Sequence, residues 1–198
     1  MQKRVLLTGF GPFLEFSYNP SGEIAKKLNN FETINYKIFG IELPVIHKEA
    51  IKILDKKFYE IRPDLVIGLG LAPGATGIRI ERVAINSYYF NEDKEIDDIV
   101  EEGPSALYTS LPYEEIRKTL WSKGIPAYYS FHAGTFLCNE IFYKIMKLTN
   151  ENGIKGGFIH IPLTHKQVIE MKKFNYPSLD EDFITEAIKL IIEVSIQS

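Results

Sequence analysis

Cys138, the one cysteine of the chain, has the surroundings of a reactive thiol. It follows three small residues, 133–135, and opens an apolar stretch over 138–146 whose spacing predicts a helix. The first turn of a helix presents unpaired N–H groups and the positive end of the helix dipole, and both favour the nucleophilic thiolate. The alternative is an inert cysteine, buried as a small hydrophobic residue.

A thiol nucleophile also requires a base, which among side chains is most often histidine. Of the four histidines, His160 is the first candidate because it lies at the end of a short apolar segment, two residues before a proline. His132 is the second candidate because it is near Cys138 in the sequence. His47 and His165 are predicted on amphipathic helices, facing solvent.

The base in turn needs a group that orients it, and Glu81 is the candidate. It lies in the segment 78–85, where apolar and charged residues alternate as in a strand with one polar face. A carboxylate at this place can hold an imidazole in position, or it can simply pair with a neighbouring arginine. The separations between Glu81, Cys138 and His160 are too wide to define a local motif.

Two other kinds of site are not supported by the spacing. One cysteine and four scattered histidines provide no ligand pair at a zinc-type separation, so we expect no metal. The glycines of 68–74 are loosely similar to a dinucleotide-binding loop, but the third glycine is displaced and a proline intervenes.

Composition indicates a single globular domain over residues 1–198. Hydrophobic residues make up 45% and charged residues 25% of the chain, and the formal net charge of −3 argues against nucleic acid as a partner. No apolar run reaches the roughly 18 residues of a membrane span, and the first residues lead into a strand rather than a signal peptide. We therefore expect a cytoplasmic protein whose thiol stays reduced.

The predicted elements alternate between strands and helices. The predicted strands cover residues 5–8, 36–43, 65–71, 78–85, 127–131 and 156–161. The predicted helices begin near Ser21 with its hydroxyl as the cap, then cover 46–61, 112–123, a stretch from 138, 164–172, and a last helix to about 194 that opens on a capping box at 178–181. Residues 91–110 are predicted as a long surface loop, the kind of segment that can form a lid over a site.

This order predicts an α/β fold with a mostly parallel sheet covered on both faces. In such folds, sites lie beyond the carboxyl ends of the strands. Cys138 and His160 both follow or end predicted strands, so we expect them at the same edge of the sheet.

Four stretches of the chain resemble signatures of one enzyme family, the pyroglutamyl peptidases, in the family's own order. The stretches are 8–13 (TGFGPF) with 19–21 (NPS), 81–86 (ERVAIN), 133–139 (AGTFLCN) and 157–162 (GFIHIP). The dipeptides at 103–104 and 111–112 extend the resemblance over nearly the whole chain.

The resemblance implies a cysteine exopeptidase that removes pyroglutamate from peptide N-termini. It implies Cys138 as nucleophile, His160 as general base and then acid, and Glu81 as the orienting carboxylate, with a thioester intermediate and no cofactor. It also implies an open α/β/α sandwich and a homotetramer or homodimer. With Cys138 assigned to catalysis, no cysteine is left for a disulfide between subunits.

The resemblance further implies an apolar pocket for the flat lactam ring of the substrate. Phe10 and Phe13 match pocket positions of the family, and Asn19, Phe136 and Leu137 are expected beside them. Without the resemblance, ordinary core packing would be the simpler interpretation of these phenylalanines.

The chain departs from the family pattern at two places. Many members continue after the glutamate segment with Asp-Ala-Arg-Ile-Pro, whereas residues 89–93 contain no arginine, and Leu71 stands where a glutamine is common. These differences bear on lactam selectivity and leave the triad unchanged. Two other hypotheses stay open: a thiol amidase of the same fold acting on another small acyl amide, and a non-catalytic module that binds blocked N-termini.

Overall fold

The structure, a computed structural model, describes residues 1–13, 18–89 and 95–198. The strands in this part of the chain are β1 (Lys3–Phe10), β2 (Tyr36–Leu43), β3 (Leu65–Leu71), β4 (Ile78–Glu81), β5 (Val83–Ile85), β6 (Ala106–Tyr108), β7 (Ala127–Ser130), β8 (Lys155–Ile161), β9 (Leu163–Thr164) and β10 (Ser178–Leu179). The helices are α1 (Pro20–Lys27), α2 (Glu49–Ile61), α3 (Tyr113–Ser122), α4 (Leu137–Asn152), α5 (His165–Glu170) and α6 (Glu181–Gln197).

A six-stranded sheet in the order β2-β1-β3-β8-β4-β7 forms the centre of the molecule. Strands β2, β1, β3 and β8 run parallel to one another. Strand β4 is antiparallel to β8, and β7 is parallel to β4. The predicted mostly parallel sheet is therefore confirmed.

Helices cover both faces of this sheet. Successive strand residues point to opposite faces, so Val5 of β1 packs in one apolar cluster and Leu6 in the other. The first cluster contains residues of α1, α3 and α6, and the second contains residues of α2 and α4. The expected open α/β/α sandwich is confirmed.

Strand register places three chemically distinctive positions side by side. Gly70 of β3 pairs with His160 of β8, and Arg79 of β4 pairs with His160 from the other side. Glu81 is two residues beyond Arg79 and so lies on the same face of the sheet. That face is covered by α4, the helix that carries Cys138.

The polar strand predicted over 78–85 is wrong in one respect, because it is two strands in different sheets. It divides at Arg82, whose N–H donates to the carbonyl oxygen of Ser130 and whose own carbonyl oxygen accepts from Thr109. Strand β5 then pairs with β6, which lies within the predicted loop 91–110. The predicted strand is interrupted because its two parts pair with different segments that are distant in sequence.

Two predicted helix caps are also wrong. Asn19, not Ser21, caps α1, because the Ser21 hydroxyl accepts from the N–H of Phe10 on β1. Asp180 caps α6 by accepting from two N–H groups of the first turn, and Ser178 belongs to β10 instead. In both cases a neighbouring element uses the expected capping residue.

Gly9 allows α1 to approach the end of β1, next to the expected pocket. A Cβ at Gly9 would lie 2.0 Å from the carbonyl oxygen of Ser21, whereas a Cβ at Gly11 would meet Glu42 at an ordinary 3.5 Å. We expect Gly9→Ala to lower the free energy of unfolding by about 1–3 kcal/mol, the usual cost of overpacking. Gly11→Ala is the control, expected within about 0.5 kcal/mol of the parent. Urea unfolding measures both, and equal losses would contradict the close approach.

Candidate active site

Glu81 and His160, predicted as partners, are in direct contact. His160 Nδ1 lies 2.8 Å from Glu81 Oε1, and both side chains are buried. Because a carboxylate oxygen accepts, Nδ1 donates, and the other ring nitrogen, Nε2, is left for a different partner. The Phe158 ring packs edge-on against the imidazole, with centroids 5.1 Å apart, and helps to exclude water.

Cys138 lies on the opposite side of the imidazole, in the first turn of α4. A Cβ built at Gly70 would lie 2.9 Å from both Cys138 Sγ and His160 Cδ2, so the sulfur and the imidazole meet over this glycine. The sulfur is close enough to act on the imidazole through its charge and as a hydrogen-bond acceptor. Cys138 is partly exposed, which leaves the sulfur accessible to a substrate. The structure therefore brings the three predicted residues together.

The charges around His160 favour its protonated form. Burial acts most strongly and lowers its pKa, but the charge of Cys138, the hydrogen bond with Cys138 and the contact with Glu81 act together against burial. They raise the pKa of His160 from 6.5 to about 9. The site thus favours a protonated His160 near neutral pH.

Arg79 is a site residue that the sequence analysis did not identify. Its Nη2 lies 3.2 Å from Glu81 Oε1, 2.7 Å from Ser130 Oγ and 3.0 Å from the carbonyl oxygen of His132. Strand alternation was the available signal, since residues 79 and 81 share one face. Among the described residues Glu81 Oε2 has no hydrogen-bond partner, so Oε1 carries both contacts.

An apolar cavity of about 280 Å³ adjoins the sulfur. All five residues expected to bind substrate line it, together with Cys138: Phe10, Phe13, Asn19, Phe136 and Leu137. Val45, Leu71 and Pro73 complete the lining. A small, mostly apolar cavity with few polar groups suits a small uncharged ring.

Aromatic packing fixes the wall of this apolar cavity. The rings of Phe13 and Phe136 have centroids 5.5 Å apart, and Phe136 contacts Tyr88 at 5.9 Å. Asn19 uses Oδ1 to accept from Ser21, and its Nδ2 has no acceptor among the described residues. The Nδ2 group is thus available to a ligand in the cavity.

A second cavity, of about 420 Å³, also adjoins Cys138. It shares Leu71, Pro73, Phe136 and Cys138 with the apolar cavity and adds Arg79, His132 and His160. The sulfur therefore lies where the apolar cavity meets a space with more polar groups, here called the polar cavity.

The prediction that His47 is a solvated helix residue is wrong. It lies just before α2, which begins at Glu49, and its ring stacks on Tyr88 with centroids 3.7 Å apart. His47 Nδ1 lies 2.6 Å from Oε1 of the fully buried Glu140, two residues after Cys138. The Glu140–His47 pair thus supports the cavity wall from behind.

The two other histidines are not members of the triad. His132, the second candidate for the base, is exposed, and its Nδ1 accepts from the N–H of Gly134. His165 is the exposed first residue of α5, as predicted, and contacts the Ser178 hydroxyl. Among the described residues, neither has the contact with Glu81 that His160 has.

The predicted loop 91–110 lies partly outside the described residues, which omit 90–94. In its described part, Asn86 bonds to the backbone of Val100 and Gly103. Asn139, next to the cysteine, bonds to the backbone of Ile85 and Ser87. The described part of the loop is therefore linked to α4 through the hydrogen bonds of residues 85–87.

Within the described ranges, no group of three or more histidine, cysteine, aspartate or glutamate side chains is placed to hold a metal ion. In those same ranges, none of the helices combines the length and apolar composition that crossing a bilayer requires.

A thiol at a helix start, hydrogen-bonded to an imidazole that a buried carboxylate holds, defines the class of cysteine-type hydrolases. A model of the pyroglutamyl peptidase family matches residues 3–198. The chain belongs to this family.

The chain aligns with its relatives over nearly the whole length of both proteins. The pyrrolidone-carboxylate peptidase of Pyrococcus furiosus is 39% identical over 204 residues, with 98% of each chain covered. That of Bacillus cereus is 40% identical over 201 residues, covering 98% of this chain and 93% of the relative. The solved P. furiosus pyrrolidone carboxyl peptidase superposes with a TM-score of 0.91 at 39% identity, with 98% of both chains covered.

The buried Glu140 makes stability depend on pH. Burial is the largest influence and raises its pKa from 4.5 to about 7, against smaller lowering effects of Lys48. The folded state thus holds this proton more tightly than the unfolded state does. Its contribution is complete below about pH 4.5 and is lost as pH rises through 7.

We therefore expect Glu140→Gln, which cannot lose a proton, to gain stability relative to the parent as pH rises from 5 to 8. The gain is at most about 3 kcal/mol, since one pKa unit corresponds to about 1.4 kcal/mol. Urea unfolding at both pH values measures it. Glu151→Gln, at an exposed position of the same helix, is the control and should show no such trend. A pH-independent difference for Glu140→Gln would contradict the burial effect.

Proposed function

We propose that residues 1–198 form a single catalytic domain, a cysteine exopeptidase of the pyroglutamyl-peptidase I type. It hydrolyses the amide bond that follows an N-terminal pyroglutamyl residue of a peptide. The observation that carries the proposal is that the Cys138 sulfur and the His160 imidazole meet over Gly70, with Glu81 bonded to the imidazole and an apolar cavity beside the sulfur.

The lactam ring of the substrate occupies the apolar cavity. Phe10, Phe13 and Phe136 contact its flat faces, and Asn19 Nδ2 donates to a carbonyl oxygen of the ring. The acyl carbon then lies at Cys138, because the sulfur is part of the same lining.

Acylation begins with attack of the thiolate on the acyl carbon. The carbon–sulfur bond forms while the carbonyl electron pair moves to oxygen. The unpaired N–H groups in the first turn of α4 stabilise this oxyanion. The oxyanion collapses, the carbon–nitrogen bond breaks, and His160 Nε2 gives its proton to the leaving amine. A thioester to Cys138 remains.

Deacylation uses the same residues in reverse. His160, now neutral, takes a proton from a water molecule that attacks the thioester carbon. The carbon–sulfur bond breaks, pyroglutamate leaves, and the thiolate–imidazolium pair forms again. Glu81 keeps Nδ1 protonated throughout, so that Nε2 is the nitrogen that moves protons. The reaction requires no cofactor.

One observation favours a second candidate, a thiol amidase of the same fold. Leu71, which stands where the family often has glutamine, lines the cavity and provides no polar group. A cavity with fewer polar groups accepts other small acyl groups more readily. The third hypothesis, a binding module with a bystander cysteine, predicts no turnover of either kind of substrate.

We further propose a cytoplasmic homotetramer or homodimer without disulfides between subunits. The lone cysteine supports this, because it is assigned to catalysis and must stay reduced there. Peptides with N-terminal pyroglutamate are the proposed partners, and neither nucleic acid nor membrane is expected.

Hydrolysis of a pyroglutamyl anilide tests the function. We expect measurable turnover by the parent, none above background for Cys138→Ala, and a fall in kcat of about 10²–10⁴-fold for Glu81→Gln, which misorients the imidazole. KM should change little, because Glu81 does not line the apolar cavity. Glu60→Gln, an exposed glutamate of α2, is the control.

Circular dichroism establishes that each variant is folded. Absence of pyroglutamate release by the folded parent at any pH, or full activity in Cys138→Ala, would contradict the proposal. Faster cleavage of other acyl anilides than of the pyroglutamyl one would favour the thiol amidase.

A further inference from the structure

The polar cavity beside Cys138 is suited to the group that leaves. If the lactam ring occupies the apolar cavity, as proposed above, the amino acid after pyroglutamate extends past the sulfur into the polar cavity. Arg79, His132 and His160 supply the polar side chains of its lining. Its chemistry therefore bears on which leaving residues the enzyme prefers.

Arg79 presents an incompletely used cation to this polar cavity. All its contacts to Glu81, Ser130 and His132 are made by Nη2, and among the described residues Nη1 has no hydrogen-bond partner. The side chain is 26% exposed, so it is fixed by neighbours yet open to the cavity. A guanidinium fixed in this way is well suited to binding a carboxylate.

His132 adds a second donor beside Arg79. Its Nδ1 accepts from the N–H of Gly134 at 2.9 Å, so the ring proton is on Nε2. Its carbonyl oxygen accepts from Arg79 Nη2, which places the two residues next to each other. The polar cavity thus offers two donors close together.

The neighbouring charges leave Arg79 able to attract an anion. Glu81 offsets part of its charge but is fully buried and shared with His160. In the proposed mechanism the sulfur is negative when it attacks and neutral in the thioester. The attraction between Arg79 and a substrate carboxylate is therefore strongest once the bond between the acyl carbon and the sulfur has begun to form.

We propose that Arg79 and His132 form a recognition site for a carboxylate on the amino acid that directly follows pyroglutamate. Two sources have this chemistry: the main-chain carboxylate of a pyroglutamyl dipeptide, and the side chain of an acidic residue at that position. Arg79 is at the same time a positioning residue for Glu81.

Two matched substrate pairs test the inference and separate the sources. Pyroglutamyl-alanine against pyroglutamyl-alaninamide reports on the main-chain carboxylate. The amides of pyroglutamyl-glutamate and pyroglutamyl-glutamine report on a side-chain carboxylate. We expect the acid of at least one pair to have about tenfold higher kcat/KM than its neutral partner. Equal values in both pairs would overturn the inference.

Variants locate the preference. Arg79→Gln should bring the acid-to-neutral ratio close to one, Arg79→Lys should retain part of it, and His132→Ala should reduce it. Any effect of the Arg79 variants on the position of Glu81 cancels in the acid-to-neutral ratio, because both substrates of a pair are cleaved by the same triad. Arg4→Gln, which removes an exposed arginine at the opposite end of β1, should keep the ratio of the parent.

The outcomes separate this inference from the proposed function. A ratio that survives Arg79→Gln overturns the carboxylate site, while release of pyroglutamate from both members of a pair still supports the peptidase. No release from any substrate overturns both. If Arg79→Gln does not fold, Arg79→Lys and His132→Ala decide the question. An unchanged acid-to-neutral ratio in both variants would overturn the proposed carboxylate site.

Discussion

The Glu81 carboxylate and the His160 imidazole, 2.8 Å apart and closed off from water, form the contact on which the rest of the site depends. Burial alone would keep the imidazole neutral. The buried carboxylate and the thiol on the other side make the cation favourable, and the carboxylate also turns Nε2 toward Cys138. The antiparallel pairing of β4 with β8 supplies this geometry, because it places Glu81 on the face of His160.

The small residue at Gly70 and the start of α4 complete the arrangement. Any side chain at Gly70 would occupy the space in which the sulfur and the imidazole meet. The same helix turn presents Phe136 and Leu137 to the apolar cavity and Glu140 to His47. One helix start therefore positions the nucleophile, the pocket wall and the buried pair behind that wall.

Much of the fold and the triad was predictable from sequence, because the signals are local. Strands β2 and β3 have their predicted bounds, and the helix start at Cys138 and the strand carrying His160 were recognisable from apolar spacing and from the family resemblance. The break at Arg82 and the Glu140–His47 pair were not, because each depends on a partner far along the chain. The cap at Asn19 and the contact of Arg79 with Glu81 had local signals that the sequence analysis did not use. These signals are Pro20 at the first helical position and the alternation of side chains along a strand.

Titration of His160 by NMR, through its ring Cε1–H signal in the parent and in Cys138→Ala, shows whether the sulfur and the carboxylate keep the buried imidazole charged. We predict a pKa of about 9 in the parent. We predict a clearly lower pKa in Cys138→Ala, because the sulfur's charge and hydrogen bond are lost while burial remains. A pKa near 6.5 in the parent, or the same pKa in both proteins, would contradict it.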